Sequence, residues 1–322
     1  MSGRWYAGAT DTGRKRRRNE DAYVVAPPLF AVADGMGGAQ AGEVASRLAA
    51  AALEDSDSRG LTGRERVISL IGEANRRVYE RSSTDPSASG MGTTMTVALV
   101  EGSSVAIGHV GDSRAYLVRD GRLEQLTEDH SLVNELLKTG KLSEEEAQVH
   151  PQRSVITRAV GTDPDVDADG FTIEAEEGDV FLICSDGLSD MVEDEEILEL
   201  LHSNRDDLDK AVKALVAAAN KGGGEDNITA IAFQISSEAA PNLEDTVAMP
   251  ALDGLEDEPD EQTREYAEDG DAPGDTMVVP PGELPVAVVQ PAADARRVRI
   301  VLIGIVLLLL VAAAIIWWLV VR

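Results

Sequence analysis

Two aspartates stand where an apolar strand would be expected to end on something less costly. Asp34 closes the run LFAVA at 29–33 and Asp186 follows VFLICS at 180–185, each with a glycine directly after it. Asp-Gly alone marks a tight turn, and the chain has six such pairs, at Asp34, Asp120, Asp169, Asp186, Asp253 and Asp269. Asp120 lies between two short charged runs, Asp169 in the polar stretch DPDVDADG, and Asp253 and Asp269 in an acidic tract. Those four read as turns or solvated loop. A carboxylate at the rim of a hydrophobic sheet loses hydration, which costs free energy unless a partner replaces the water. More acids precede strand-like runs: Glu20 and Asp21 of NED before AYVV, and Asp226 of EDN before ITAIAFQI. Converging carboxylates, with one cysteine in the chain and no HExxH arrangement, suit Mg²⁺ or Mn²⁺ rather than Zn²⁺. Glycine lets the backbone come close enough for a main-chain carbonyl to join them. Two such ions about 3.5–4 Å apart can share a hydroxide and aim it at phosphorus.

The elements that must bring these acids together are legible as alternating patterns. Strands are predicted near Tyr23–Val25, Leu29–Ala33, Thr94–Val100, Val105–Val110, Ala115–Arg119, Val180–Ser185 and Ile228–Ile235. TMTVALV and SVAIGHV, joined by EGS, have hairpin spacing, as do AYLVR and RLEQL around Asp120-Gly121. Strands joined so tightly are antiparallel, which argues against a doubly wound parallel sheet and for an α+β domain. Helical periodicity marks Ala41–Glu54, Arg64–Arg81, Glu193–His202 and Asp206–Asn220, the last stopped by Gly222-Gly223-Gly224. Cys184, inside an apolar run, reads as a buried structural thiol.

The net charge of −29 over 322 residues opposes nucleic acid as a partner. Residues 238–295 hold sixteen Asp and Glu against the single Arg264. Residues 238–299 also hold eight of the thirteen prolines, so this segment reads as an acidic, disordered linker between a domain at 1–237 and the tail. EDTVAMP at 244–250 and GDTMVVP at 274–280 echo one another, which reads first as coincidence in a biased segment and second as a pair of phosphorylation sites at Thr246 and Thr276. Residues 300–321 are twenty-two apolar residues without a charge. As a helix they would span about 33 Å, enough for a hydrocarbon core. Arg296, Arg297 and Arg299 precede them, which puts that side in the cytoplasm. A single-pass C-terminal membrane anchor with a cytoplasmic domain is the expectation.

Seven segments, in order, carry a resemblance. DTGRKRRRNEDA (11–22), ADGMGG (33–38), GMGTT (90–94), HVGDSRAYLVRDG (109–121), HPQRSVITRAVG (150–161), CSDGLSD (184–190) and GGEDNITAI (223–231) resemble the motifs of the bacterial metal-dependent protein phosphatases (PPM, type 2C). The resemblance covers about residues 5–235. It implies a four-layer α/β/β/α sandwich with two central antiparallel sheets and metals at one edge between them. By the same resemblance Asp34 bridges two ions, with the Gly35 carbonyl on one, while Asp186 and Asp226 hold the other. Glu20 and Asp21 would order metal-bound waters, and Asn227 of the EDN motif would stand with them behind the metal ligands. Asp112 of GDSR, with Asp186, would form a third metal site. Arg16 would clamp the substrate phosphate, a task to which a bidentate guanidinium is suited. Residues 128–160 would be the flap beside the active site, covering it or gating the substrate.

The resemblance implies hydrolysis of phosphoserine and phosphothreonine in proteins by a hydroxide held between two metal ions, with Mn²⁺ or Mg²⁺ as cofactor and Ser/Thr kinases as the activity opposed. Met36 stands where eukaryotic members often have His, and Met cannot donate a proton. The general acid is therefore open, with water on a third metal as the leading idea. His109, within an apolar strand, reads as a core residue, and His130, His150 and His202 lack ligand spacing. The rival readings are a catalytically weak phosphoprotein-binding scaffold and a hydrolase of another phosphoester.

Overall fold

The computed structural model describes residues 5–37, 41–55, 60–236 and 277–278. The chain divides into Met1–Pro281 and Gly282–Arg322, and every described residue belongs to the first unit. No helix among the described residues is long and apolar enough to cross a membrane. The expected anchor at 300–321 lies outside them, as do Thr246 and Thr276.

One antiparallel sheet runs in the order β1 (Tyr6–Asp11), β12 (Ile228–Gln234), β11 (Val180–Cys184), β7 (Arg114–Arg119), β8 (Arg122–Gln125). The other runs β10 (Asp169–Glu174), β6 (Ser104–Val110), β5 (Met95–Glu101), β3 (Leu29–Met36), β2 (Asp21–Ala26), with the short β4 (Gly92–Thr93) also paired to β3. Strands of each sheet send alternate side chains to opposite faces. Phe30, Val32, Ile107, Leu117, Phe181, Ile183 and Phe233 therefore meet between the sheets. Phe233 stacks on Phe30 at 4.3 Å and on Phe181 at 5.1 Å between ring centroids. Stacked aromatic pairs add to the burial energy of the rings.

The opposite faces are covered by helices. Helices α1 (Ala41–Asp55) and α2 (Gly63–Thr84) lay Ala45, Ala49, Leu53, Val67, Leu70 and Ile71 against Ala31, Ala33, Val97 and Leu99. On the other sheet α5 (Asp186–Ser189), α6 (Asp194–Ser203) and α7 (Leu208–Gly222) cover Tyr116, Leu182, Cys184 and Ala230. In α7 the buried residues Leu208, Val212, Leu215, Val216 and Ala219 make one stripe, which is why this segment is helical. Asp207 caps its start by accepting from the Lys210 amide at 3.2 Å. Its end falls at Gly222, and Gly223 follows with φ of 149°.

The region at 128–160 carries two short helices, α3 (Leu132–Lys138) and α4 (Glu144–Gln148), then β9 (Val155–Ile156). Ser131 and Ser143 cap the helices, the latter in a full capping box with Glu146. Ile156 is fully buried and clusters with Met36 and Ala159.

Several expectations need correction. Asp169 is not in a turn or solvated loop: it opens β10, opposite His109. Neither β1 nor β10 was expected, because both are half-exposed edge strands whose polar residues blur the alternation. Asp34 lies within β3 rather than past its end, and Asp186 is the first residue of α5. The linker was expected to be without structure, yet Met277–Val278 form a strand, β13, paired in parallel with Val155–Ile156. The apolar, β-branched MVV in an otherwise acidic segment has the composition a strand needs. By contrast Asp120-Gly121 is the expected hairpin turn, both residues adopting positive φ at 52° and 71°.

Candidate active site

The β2–β3 register sets Asp21 directly opposite Asp34. Asp34 is held by its backbone: its amide donates to Thr94 Oγ1 at 3.0 Å, and its carbonyl accepts from the Thr94 amide and the Thr93 hydroxyl, both at 2.8 Å. Thr94 Oγ1 also lies 2.7 Å from Ser113 Oγ, beside Asp112. One hydroxyl thus ties the Asp34 strand to the Asp112 loop.

Asp21 is anchored from the opposite sheet. Thr229 Oγ1 and Ser185 Oγ donate to its Oδ2 at 2.6 and 2.9 Å, and the Thr229 amide donates to Ser185 Oγ at 3.0 Å. Both donors sit on the chain that presents Asp186 and Asp226. Asn227 is the joint between the amino-terminal segment and this end of the sheet. Its Oδ1 accepts from the Glu20 amide at 2.7 Å, and its Nδ2 donates to the carbonyls of Thr12 and Arg18 at 2.9 and 2.8 Å. The turn at Gly13 approaches so closely that a Cβ there would stand 2.1 Å from the Asp226 carbonyl. Its φ of 77° also disfavours any side chain.

Burial of so many acids together shifts their titration. Asp34 is pushed well above the usual carboxylate range, first by burial and then by the charges of Asp21, Asp186, Asp226 and Asp112. Asp186 is raised likewise, by burial and then by Asp112, Asp226 and Asp190. Asp21 rises to about 6, burial outweighing its two hydroxyl donors. Asp112 rises to about 7 through burial, Asp129 and Asp190. Arg16 Nη2 donates to Asp226 Oδ2 at 2.8 Å, which brings a guanidinium to the edge of this cluster.

Unpartnered carboxylate oxygens make these residues fit for hard divalent cations. Asp21 Oδ1 and Asp186 Oδ1 are, among the described residues, the buried side-chain oxygens without a hydrogen-bond partner. Such orphans are costly and call for a partner. The space at Gly35 is also tight enough to exclude any side chain, since a Cβ would stand 2.1 Å from the Gly42 carbonyl and 2.6 Å from that of Glu20. No three His, Cys, Asp or Glu side chains among the described residues form a ready cage for one ion.

A cleft of about 1010 Å³ opens from Asp112, Asp186 and Asp190 toward Ser131, Asn134, Leu137, Ala147 and Arg153 of the 128–160 segment. Asp112, Asp186 and Asp190 thus share one cavity with this segment. Of the expected site residues, Asp21, Asp34, Asp112, Asp186 and Asp226 come within electrostatic reach of one another, and Arg16 and Asn227 contact them directly. Gly35 and Glu20 meet through the Gly35 amide, which donates to the Glu20 carbonyl at 3.2 Å. Sequence reasoning missed Thr94, Ser185, Thr229 and Asp190. The second Ser-Asp pair in CSDGLSD and the doubled Thr of GMGTT were the available signals. Cys184 is buried and its thiol is pushed up to about 12, as a structural thiol should be.

Two facing antiparallel sheets with buried, mutually repelling acids gathered together make a site suited to a metal-dependent hydrolase. The chain matches the model of the protein phosphatase 2C family over residues 13–229, and it belongs to that family. A serine/threonine phosphatase stp from Listeria monocytogenes is 42% identical over 233 residues, covering 69% of this chain and 92% of that protein. The crystal structure of the Mycobacterium tuberculosis serine/threonine phosphatase PstP/Ppp is 41% identical with a TM-score of 0.68, covering 72% and 98% of the two chains. A PstP catalytic domain solved in complex with two manganese ions is 39% identical with a TM-score of 0.66, covering 72% and 97%.

Proposed function

We infer that this chain is a metal-dependent protein serine/threonine phosphatase that uses Mn²⁺ or Mg²⁺. The observation that carries the reading is the set of buried, mutually repelling carboxylates of Asp21, Asp34, Asp112 and Asp186, with two of their oxygens unpartnered. Asp34, the Gly35 carbonyl, Asp186 and Asp226 would hold two ions, Asp112 with Asp186 would hold a third, and Glu20, Asp21 and Asn227 would support them. When bound, the ions supply positive charge for the phosphoryl oxygens and make a water acidic enough to attack phosphorus. The chain's own part is to hold those ions in an antiparallel sheet edge and to orient the phosphate.

Arg16 has that second role. Its guanidinium, already within hydrogen-bond distance of Asp226, would bind a phosphate dianion at the edge of the centre. Removing one partner of a charged hydrogen bond costs roughly 1.5–3 kcal/mol. Arg16→Ala is therefore expected to lower kcat/KM for a phosphothreonine peptide by about 10–150-fold at saturating Mn²⁺. Arg16→Lys recovers only part of that, because a point charge cannot form the fork. Unchanged steady-state kinetics in both variants would remove Arg16 from the site.

The domain would be tethered to the cytoplasmic face of the membrane through residues 300–321, with the acidic linker allowing it to reach phosphorylated Ser and Thr on membrane-bound proteins, including Ser/Thr kinases and their substrates. The support is the charge-free apolar run and the three arginines before it. The full chain should sediment with membranes, resist a high-salt wash and be released by detergent. Recovery in the soluble fraction would count against the tether.

A further inference from the structure

His130 is almost fully buried, at 4% exposure, and it joins three segments distant in the chain. Its amide donates to the Gly111 carbonyl at 2.7 Å, and the Gly111 amide returns a bond to its Nδ1 at 3.1 Å. Its carbonyl accepts from the Thr157 amide at 2.7 Å, just past the β9 strand. Its Nε2 lies 3.2 Å from Asp169 Oδ2, and Asp169 Oδ1 accepts from Arg158 Nη1 at 3.0 Å. Because an amide donates to Nδ1, the ring proton must sit on Nε2, where Asp169 accepts it. The neighbouring His109 ring, 4.7 Å away by centroid, is fixed in turn by Thr96 Oγ1 and the Glu128 carbonyl. Gly111, with φ of 110°, has no side chain to hold it, and Asp112 comes next.

We propose that His130 is a positioning residue: it locks the root of the 128–160 segment to the Gly111–Asp112 loop, so that Asp112 and the cleft wall opposite it are set together. The inference rests on the reading that Asp112 serves the metal centre. The same ring reaches the loop through Nδ1 and the 155–158 stretch through Asp169, so the two links are separable. An Asn side-chain oxygen can take the place of Nδ1, and a Gln amide that of Nε2–H. Supporting groups of this kind typically change metal affinity or activity by 10–100-fold.

The test uses the full chain with His130→Asn, His130→Gln, His130→Ala, Asp112→Asn and the His130→Ala/Asp112→Asn pair. Mn²⁺ binding is measured by calorimetry alongside turnover of a phosphothreonine peptide. Asp112→Asn should lose the weakest Mn²⁺ site. His130→Ala and His130→Gln should weaken that same site about 10–100-fold, and His130→Asn should restore most of it. The double variant should be no worse than Asp112→Asn alone, as expected for residues acting as one unit. If Asp112→Asn leaves Mn²⁺ binding and turnover untouched, the reading of Asp112 fails and takes this proposal with it. If Asp112→Asn has its effect but the His130 effects add to it, or Asn and Gln behave alike, His130 is only structural and the proposal is overturned. Should His130→Ala not fold, the Asn–Gln contrast decides the matter.

Discussion

Asp34→Asn should abolish turnover of a phosphothreonine peptide, by about 10³-fold or more, while leaving the metal-free protein folded. The first half follows from position. Asp34 is the acid that feels the charges of Asp21, Asp186, Asp226 and Asp112 together, so it stands at the centre of the cluster that would hold a cation. A bound ion at a reacting phosphoryl group is worth several kcal/mol, and each 1.36 kcal/mol is tenfold in rate. The second half follows from charge. Asparagine keeps the shape and removes a buried carboxylate whose ionisation burial and four neighbours oppose. The backbone contacts that place residue 34, from Thr93 and Thr94, do not involve its carboxylate. The expected pair of results is therefore a dead enzyme with an unchanged or raised Tm without metal, and a loss of the Tm increase that Mn²⁺ gives the unaltered protein. Appreciable Mn²⁺-dependent turnover by the variant would refute the assignment of Asp34.

The second large effect is on stability against pH. Asp21, Asp34, Asp112 and Asp186 all have folded-state pKa values above the ordinary carboxylate value near 3.9. A group raised on folding contributes stability in full below its unfolded pKa, and that contribution is lost as pH rises through the folded value. For Asp21 that value is about 6 and for Asp112 about 7, with Asp34 and Asp186 raised as well. His109 and His130 work the other way, since burial lowers both and they lose stability as pH falls below about 6.5. The metal-free decline is thus clearest above pH 6.5. In the presence of a chelator, Tm should be lower at pH 7 than at pH 6.5, the interval in which Asp112 completes its ionisation. Saturating Mn²⁺ should cancel the fall, because cation binding requires the ionised carboxylates and releases their protons. Calorimetric scans across that range, with and without metal, decide it. A metal-free Tm that is flat or rises with pH would show that the acids are not buried against one another.

Much of this centre was readable before any coordinates. Asp34 and Asp186 could be separated from the other Asp-Gly pairs because each followed a run too apolar to be at the surface, and burying charge is costly. The hairpins, the four long helices and the antiparallel character followed from periodicity and from loop lengths too short for crossovers. Even so, the half-exposed β1 and β10 escaped, since an edge strand with one wet side does not need a clean alternation. Asp169 was misplaced for that reason, and its bonds to His130 and Arg158 with it.

Residue types and local patterning determined which acids would be expensive to bury, where glycine had to stand, and which segments would become strands or helices, because these depend on desolvation and on backbone sterics within a few residues. The fold alone decided which hydroxyl meets which carboxylate, as when Ser185 and Thr229 converge on Asp21 or Thr94 braces Asp34. It also turned Arg16 toward Asp226 and made His130, which lacks ligand spacing in the sequence, a junction between distant segments. Those pairings span up to about two hundred positions, and cross-strand register and sheet-to-sheet packing, not nearest neighbours, set them.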